Sequence, residues 1–317
     1  MSTLTTTSNT NLTIGEVGAQ AKQFIIESTS EATRKAYRSD LTIFVSWCDS
    51  RSLEAMPASP ATIADFLASQ ANDGISPSTL NRRVSAVRFA HETAGMNSPT
   101  TDKLVSATLK GIKRNVGAKV EKKSAATVDK IYSMIAQCDT KTIQGKRDKA
   151  ILLLGFAGAF RRSELAGLEL SDIEFVTDGA RITIRKSKTD QEAQGQTIAI
   201  YNGKLNVCGI LKDYLQAAGI VDGALFRPIT KSDKTRNQAI TDKSIATIVK
   251  RYAEAAGLNP DDFSGHSLRS GFITSASESG ANLFKIMDVS RHKSVQTVRG
   301  YVRNAEMFKD HAGSSFL

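Results

Sequence analysis

Gly265-His266-Ser267-Leu268-Arg269, with Arg291-His292 and then Tyr301 behind it, is the stretch on which the reading of this chain turns. It sets a phenol downstream of several groups able to grip a phosphate. A tyrosine that attacks phosphorus needs relief from its ordinary pKa of about 10 and cations around the oxygens that gain charge in the transition state. Arginine suits the second task, because its planar fork meets phosphate oxygens in pairs and stays protonated. Further groups lie upstream. In Gly158-Ala159-Phe160-Arg161-Arg162-Ser163-Glu164-Leu165 an arginine precedes a glutamate by one helical turn, and only the distance to Glu164 selects Arg161 over the adjacent Arg162. Lys188 follows the alternating run Arg181-Ile182-Thr183-Ile184, which reads as a strand. A lysine in the hairpin beyond that strand can reach the same site.

Taken together, these residues resemble the tyrosine recombinase (phage integrase) family, and within it the Cre-like site-specific recombinases. That family carries a first arginine in an Arg-x-Ser/Ala-Glu motif, a hairpin lysine, a His-x-x-Arg motif, a His or Trp, and a nucleophilic tyrosine. Arg161, Glu164, Lys188, His266, Arg269, His292 and Tyr301 match in order and type, and the nine-residue interval from His292 to Tyr301 is the family's own. Any one fragment is a weak signal, whereas seven in register across nearly the whole chain are specific.

The resemblance implies a role for each residue. Arg161 and Arg269 would hold the non-bridging oxygens of a scissile phosphate. Glu164 would orient His266 or Arg269 by accepting a hydrogen bond from beneath. His266 would accept the nucleophile's proton, and His292 would donate to a phosphate oxygen beside the nucleophile. Lys188 would protonate the departing 5′ oxygen, with Lys186 and Arg185 as competing cations of the same hairpin. Tyr301 would attack phosphorus and leave a 3′-phosphotyrosyl enzyme. On this reading the arginines supply the charge that a metal would otherwise supply, so neither a metal nor another cofactor is expected. His91 and His311 match nothing in the motif set.

Composition agrees. The chain has 317 residues, enough for two domains and an ample core, and 40% hydrophobic content is that of an ordinary globular protein. A net charge of +10 points to an anionic partner, nucleic acid being the commonest. Residues 1–75 hold five Lys/Arg against eight Asp/Glu, whereas residues 76–114 hold seven against two. Cys48, Cys138 and Cys208 are odd in number and lack metal-ligand spacing, so they read as reduced thiols. No leader-like start and no span-length apolar run stands out, and a cytoplasmic, nucleoid-associated enzyme with no membrane contact is the expectation.

The N-terminal part reads as helical. Ser59-Pro60, Ser76-Pro77 and Ser98-Pro99 each place a capping serine before a proline at the first helical position. Three helices are expected there, a fourth from Ser28 with Glu31 completing a capping box, and another near Ile14 to Glu27. Tyr37, Leu41, Phe44 and Cys48 form the apolar stripe of the fourth, and Leu80, Val84 and Val87 that of the helix from Pro77 to about Thr93. Residues 1–12 read as a mobile tail, 13–116 as a helical DNA-binding domain, 117–124 as a linker and 125–317 as the catalytic domain. In the last, Arg147 to Phe160 predicts a core helix, Arg181 to Arg185 and Thr197 to Tyr201 two strands, and Leu205 to Ala218, Lys243 to Ala256, Ser267 to Ser279 and Ser294 to Arg303 further helices. The fold class is therefore mainly α with a small antiparallel sheet. The resemblance implies a two-domain, C-shaped clamp on DNA.

For DNA contacts the candidates are Arg34 and Arg38 on one helix, Arg82, Arg83 and Arg88 on another, and Lys243 in the first turn of a third. A solvated helix face accounts for such charges nearly as well. The implied partner is double-stranded DNA with inverted-repeat half-sites, bound by a homotetramer that passes through a Holliday junction. Met307 and Phe308, in residues 304–317, are the expected anchors between protomers. Two rivals stand beside this reading: a type IB topoisomerase-like relaxation of DNA, and a catalytically silent DNA-binding protein on the same fold.

Overall fold

The computed structural model describes Phe24 and residues 28–116, 123–185 and 195–305, with side chains as far as Tyr301. The chain divides into two compact units, Met1–Glu121 and Lys122–Leu317. The expected helix at 14–27, apart from Phe24, the first twelve residues and most of the linker lie outside the described residues.

In the first unit, four helices are described: α1 (Glu31–Asp49), α2 (Pro60–Asn72), α3 (Pro77–Thr93) and α4 (Lys103–Val116). Ser59 and Ser76 cap as expected, accepting hydrogen bonds from Thr62 N at 3.0 Å and Thr79 N at 3.3 Å. Two of the expected starts are corrected. Helix α1 is capped by Ser30, whose hydroxyl accepts from Thr33 N at 3.3 Å, while Ser28 N closes a preceding turn on Phe24 O. Glu31 falls in the first turn, where a carboxylate favours the helix N-terminus, rather than at the third position of a capping box. Ser98-Pro99 opens only a 3₁₀ turn, Pro99–Thr101. Asp102 then takes an extended backbone, and its carboxylate accepts from Leu104 N at 2.7 Å to start α4.

Phe44 and Cys48 from α1, Ile63, Phe66 and Leu67 from α2, Leu80, Val84 and Val87 from α3, and Val105 and Ile112 from α4 make one buried cluster. Phe44 and Trp47 meet Phe66 edge-on at 5.1 and 5.4 Å between ring centroids, a favoured aromatic arrangement. His91 is fully buried. Its Nε2 accepts from Ala58 N at 3.0 Å, which leaves Nδ1 to donate to Val87 O at 2.9 Å. That is a structural use of a neutral imidazole.

The second unit is built around α6 (Ile143–Ala157), which follows α5 (Val128–Ala136). Helix α6 starts earlier than expected, because Thr142 caps it by accepting from Gly145 N at 3.0 Å. It also stops earlier. Gly158 follows its end and Ala159 takes φ 45°, so Phe160 is buried but lies outside the helix. The short α7 (Arg162–Ala166) follows, then a meander of β1 (Ile173–Val176), β2 (Gly179–Ile184) and β3 (Gln196–Tyr201) in that spatial order, both pairs antiparallel. Ile182, Ile184, Ile198 and Ile200 point into the core, as the alternation requires. Strand β1 was not among the expected elements, being only four residues long. Helices α8 (Val207–Ala218), α9 (Asp242–Ala255), α10 (His266–Glu278), α11 (Leu283–Ser290) and α12 (Val295–Ala305) complete the unit.

The segment leading into α5 ties that helix to α10 and to the turn before it. Ser124 N donates to Asp262 O at 2.7 Å, Ala126 N to Ser267 O at 2.9 Å and Val128 N to Ser275 Oγ at 2.9 Å. The approach is so close that a Cβ at Gly271 would stand 1.9 Å from Ala126 O, which is why a glycine sits on that face of α10.

Candidate active site

The site begins at the corner between α6 and α7. Arg161 occupies the position before α7, in an extended conformation, and Glu164 reaches back from the third helical position. Glu164 Oε2 accepts from Arg161 N at 2.9 Å, and Oε1 takes the Arg161 guanidinium at 2.5 Å. Arg162 goes elsewhere: its stem packs where a Cβ on Gly265 would be, and its guanidinium lies 3.6 Å from Asp242. The two adjacent arginines are thus distinguished by the partners that hold them.

Contrary to the expectation from sequence, Glu164 accepts from neither His266 nor Arg269. Its second partner is Arg291, whose Nη2 donates to Oε2 at 2.8 Å. Both side chains are only 1% exposed, and a buried carboxylate without such a partner would be strongly disfavoured. Arg291 also donates to Gly158 O at 2.9 Å, Ala159 O at 3.0 Å and Val289 O at 2.7 Å. It ends α11 in the left-handed region at φ 57°. For a residue other than glycine that conformation costs about 1–3 kcal/mol and persists where surrounding bonds over-determine it.

Helix α10 carries His266 and Arg269 one turn apart. Arg269 is buried and donates to Ala159 O at 2.7 Å. Its other terminal nitrogen lies 3.3 Å from the ring nitrogens of His292. His292 Nδ1 is in turn 2.8 Å from the buried hydroxyl of Ser290. Tyr301, on α12, packs against a small cluster of Ile273, Ile286 and Val298. Its hydroxyl stands 3.1 Å from His266 Nε2, within reach for proton transfer.

The electrostatics follow from burial and from crowded cations. Burial and the charges of Arg161 and Arg291 push the Arg269 guanidinium down to about 9. Burial, then Arg269 and Arg161, push His292 down to about 4. His266 is lowered by desolvation, then by Arg269, Arg161 and Arg162. Part of its side chain faces solvent, so the three cations support the direction even where burial is discounted. Burial raises Tyr301, against the opposing pull of Arg269. For Glu164, burial alone would raise the pKa, but the Arg291 charge and the bonds and charge of Arg161 hold it below the ordinary value.

Six of the seven residues picked from sequence therefore gather in one network, and Lys188 lies outside the described residues, as does Lys186. Arg185 is committed to the sheet edge, 2.7 Å from Glu169 and 2.6 Å from Asp172. Among the candidate DNA contacts, Arg38 and Lys243 are exposed and Arg34 is part-buried, donating to Thr29 O. Arg88 is exposed and donates to Thr100 at 3.0 Å. The expected row on α3 is corrected in part. Arg82 is forked onto the buried Asp40 at 2.7 Å and stays half exposed, whereas Arg83 is buried, 3.7 Å from the same carboxylate and facing Phe66. Heptad-like spacing on a crowded helix places Arg83 inward, and its pairing with Asp40 could be found only from the packing of α1 on α3. Lys243 lines a cavity of about 340 Å³ with Arg147 and Arg251. Met307 and Phe308 lie outside the described residues. Among those residues no three His, Cys, Asp or Glu side chains gather in a metal-binding group, and no helix is long and apolar enough to cross a membrane. Arg291 and Ser290 were missed as site residues; the adjacency of Arg291 to His292 was the only signal in the sequence.

Comparison with known proteins places this network in context. Residues 125–307 match the phage integrase family, and residues 22–94 match the phage integrase N-terminal SAM-like domain. An integrase/recombinase xerD homolog of Selenomonas ruminantium is 39% identical over 299 residues, covering 92% of this chain and 87% of the relative. The tyrosine recombinase XerD of Bifidobacterium longum is 27% identical, covering 88% of this chain and 91% of its own. Among solved structures, the Tn1549 transposon integrase in complex with circular intermediate DNA superposes with a TM-score of 0.61 at 16% identity, covering 94% of this chain and 99% of that one. A lambda integrase dimer bound to a COC′ core site gives 0.60 at 17% identity, covering 90% and 95%. At such identities the structural likeness speaks to the fold.

Proposed function

The chain belongs to the phage integrase family and is a tyrosine recombinase, an enzyme of DNA strand transfer, and from that premise we propose that Tyr301 is its nucleophile and His266 the base that activates it. The observation that carries the reading is the 3.1 Å contact between the Tyr301 hydroxyl and His266 Nε2, one helical turn from the buried Arg269. A neutral His266 accepts the phenolic proton as the oxygen attacks phosphorus. The bond from phosphorus to the 5′ oxygen breaks, and Lys188 gives that oxygen a proton. The products are a 3′-phosphotyrosyl enzyme and a free 5′ hydroxyl. Attack by a 5′ hydroxyl of another strand reverses the chemistry with the ends exchanged, and the phosphotyrosyl ester conserves the bond energy.

Arg161 and Arg269 neutralise the non-bridging oxygens, where charge gathers in the transition state. Were Ser290 to donate to Nδ1, the His292 proton would sit on Nε2 and be offered to the phosphate. Exchange of both strand pairs through a Holliday junction calls for four protomers on two DNA sites carrying inverted half-sites. Arg34, Arg38, Arg82, Arg88 and Lys243 would contact that DNA, while Arg83 is buried.

Replacing Tyr301 with Phe tests the assignment, because the ring that packs on Ile273 and Val298 stays while the nucleophilic oxygen goes. The expected result is normal DNA binding with no protein–DNA adduct on denaturing gels of nicked suicide substrates. An adduct that persists in Tyr301→Phe moves the nucleophile elsewhere, and wild-type protein that binds DNA without any adduct marks a silent binder.

A further inference from the structure

We infer that Arg291 is a positioning residue of the strand-transfer site: it ties Arg161 and Arg269 into one rigid pair without itself touching the phosphate. The inference rests on the catalytic reading above and extends it. Both terminal nitrogens of Arg291 are spent on three backbone carbonyls and one carboxylate, whereas Arg269, equally buried, has one terminal nitrogen turned toward His292. Two of those acceptors are shared with the phosphate-facing arginines. Ala159 O takes a hydrogen bond from Arg269 as well as from Arg291. Glu164 takes the Arg161 guanidinium on Oε1, and on Oε2 it takes Arg291 beside the Arg161 backbone N–H. Arg291 thus sits at the centre of a bridge from one catalytic cation to the other. Its guanidinium also lies 5.2 Å from the Phe160 ring, which packs it against the corner that carries Arg161.

The division of Glu164 between two cations has a chemical consequence. A carboxylate held by Arg161 alone would draw that guanidinium inward and cancel more of its charge, at the expense of the phosphate. A carboxylate already balanced by Arg291 fixes the orientation of Arg161 and leaves most of its charge directed outward. The backbone is consistent with this. Arg291 takes the left-handed conformation that favours glycine, yet its side chain makes more hydrogen bonds inward than any other in the site. The next residue is His292, so the same anchor sets where a second phosphate donor begins.

The test is single-turnover adduct formation on nicked suicide duplexes at saturating protein, with DNA affinity and thermal melting measured alongside. Four variants are compared: Arg291→Met, Arg291→Lys, Glu164→Gln and the double variant of Arg291→Met with Glu164→Gln. If Arg291 acts through Glu164, Arg291→Met slows adduct formation by about 100-fold with affinity within about threefold, and adding Glu164→Gln recovers about tenfold of that loss. Glu164→Gln alone is expected to slow the reaction, so the sign of its effect reverses with the partner. Costs that simply multiply, a wild-type rate in Arg291→Met, or a loss confined to DNA affinity overturns the inference. Should Arg291→Met lose its melting transition, Arg291→Lys decides: it keeps the charge but cannot fork to all four acceptors. Its expected outcome is a normal melt with adduct formation slowed about tenfold, and a wild-type rate overturns the inference. The catalytic reading fails separately, by an absent wild-type adduct or one that survives Tyr301→Phe, and it then takes this inference with it.

Discussion

A base must be unprotonated before it can act, and the surroundings of His266 keep it so. Its pKa is lowered by desolvation and by Arg269, Arg161 and Arg162, below the ordinary value of about 6.5. In adduct-formation rates at subsaturating DNA, which report on the free enzyme, the acid limb is expected below pH 6.5, and a limb at or above that value removes His266 from the role. The same shifts bear on stability, with a definite sign. An unfolded histidine takes up its proton near pH 6.5, whereas folded His292 resists protonation until about pH 4. The contribution of His292 is therefore full above 6.5 and is lost as pH falls from there toward 4. At this scale much was legible in the sequence. His266 and Arg269 share a helix face, and His292 precedes Tyr301 by a short fixed interval, so spacing alone carried them. The pairing of Glu164 with Arg291 was not legible, because it joins residues 127 positions apart. No local pattern encodes which buried cation a carboxylate will find.

Elements show the same division between local and distant causes. Ser59-Pro60 and Ser76-Pro77 announced α2 and α3 because a serine cap and a proline at the first turn act within four residues. Ser98-Pro99 carries identical chemistry and opened only a 3₁₀ turn, since the extended Asp102 follows at once. Strand β1 and helix α11 were too short to declare a period, and each is held by neighbours in its unit. Helix α10 depends on one such neighbour: Gly271 allows the segment around Ala126 to lie against it. Gly271→Ala is expected to force that segment and α10 apart, destabilising the protein by about 1–3 kcal/mol and slowing adduct formation, because α10 carries both His266 and Arg269. Gly111→Ala on α4 is the control. A Cβ there meets nothing within 4 Å, so that change should stabilise by about 0.5–1 kcal/mol. Urea denaturation of the two variants side by side checks both signs; equal effects would mean that the close approach to Ala126 is easily relaxed.

The whole molecule is constrained by stoichiometry. Each active site offers one Tyr301 and cuts one strand, while two duplexes that recombine present four strands, so the proposed reaction needs four protomers acting in pairs. Something must therefore couple one active site to the next. Met307 and Phe308 are apolar residues close behind the nucleophile in the chain, and the Cre-like resemblance assigns the segment 304–317 to a neighbouring protomer in a head-to-tail ring. A contact of that kind would link the position of Tyr301 in one protomer to the occupancy of its neighbour, because α12, which bears Tyr301, runs directly into the segment. Truncation after Arg303 is then expected to leave binding to a single half-site within about threefold while lowering recombination by at least about 100-fold. The loss should appear as missing higher-order complexes on native gels. Paired substitution of Met307 and Phe308 with Ser in the full chain should reproduce the defect if side chains rather than chain length matter. A truncated protein that assembles two-site complexes and recombines at the wild-type rate would place the coupling between active sites elsewhere in the molecule.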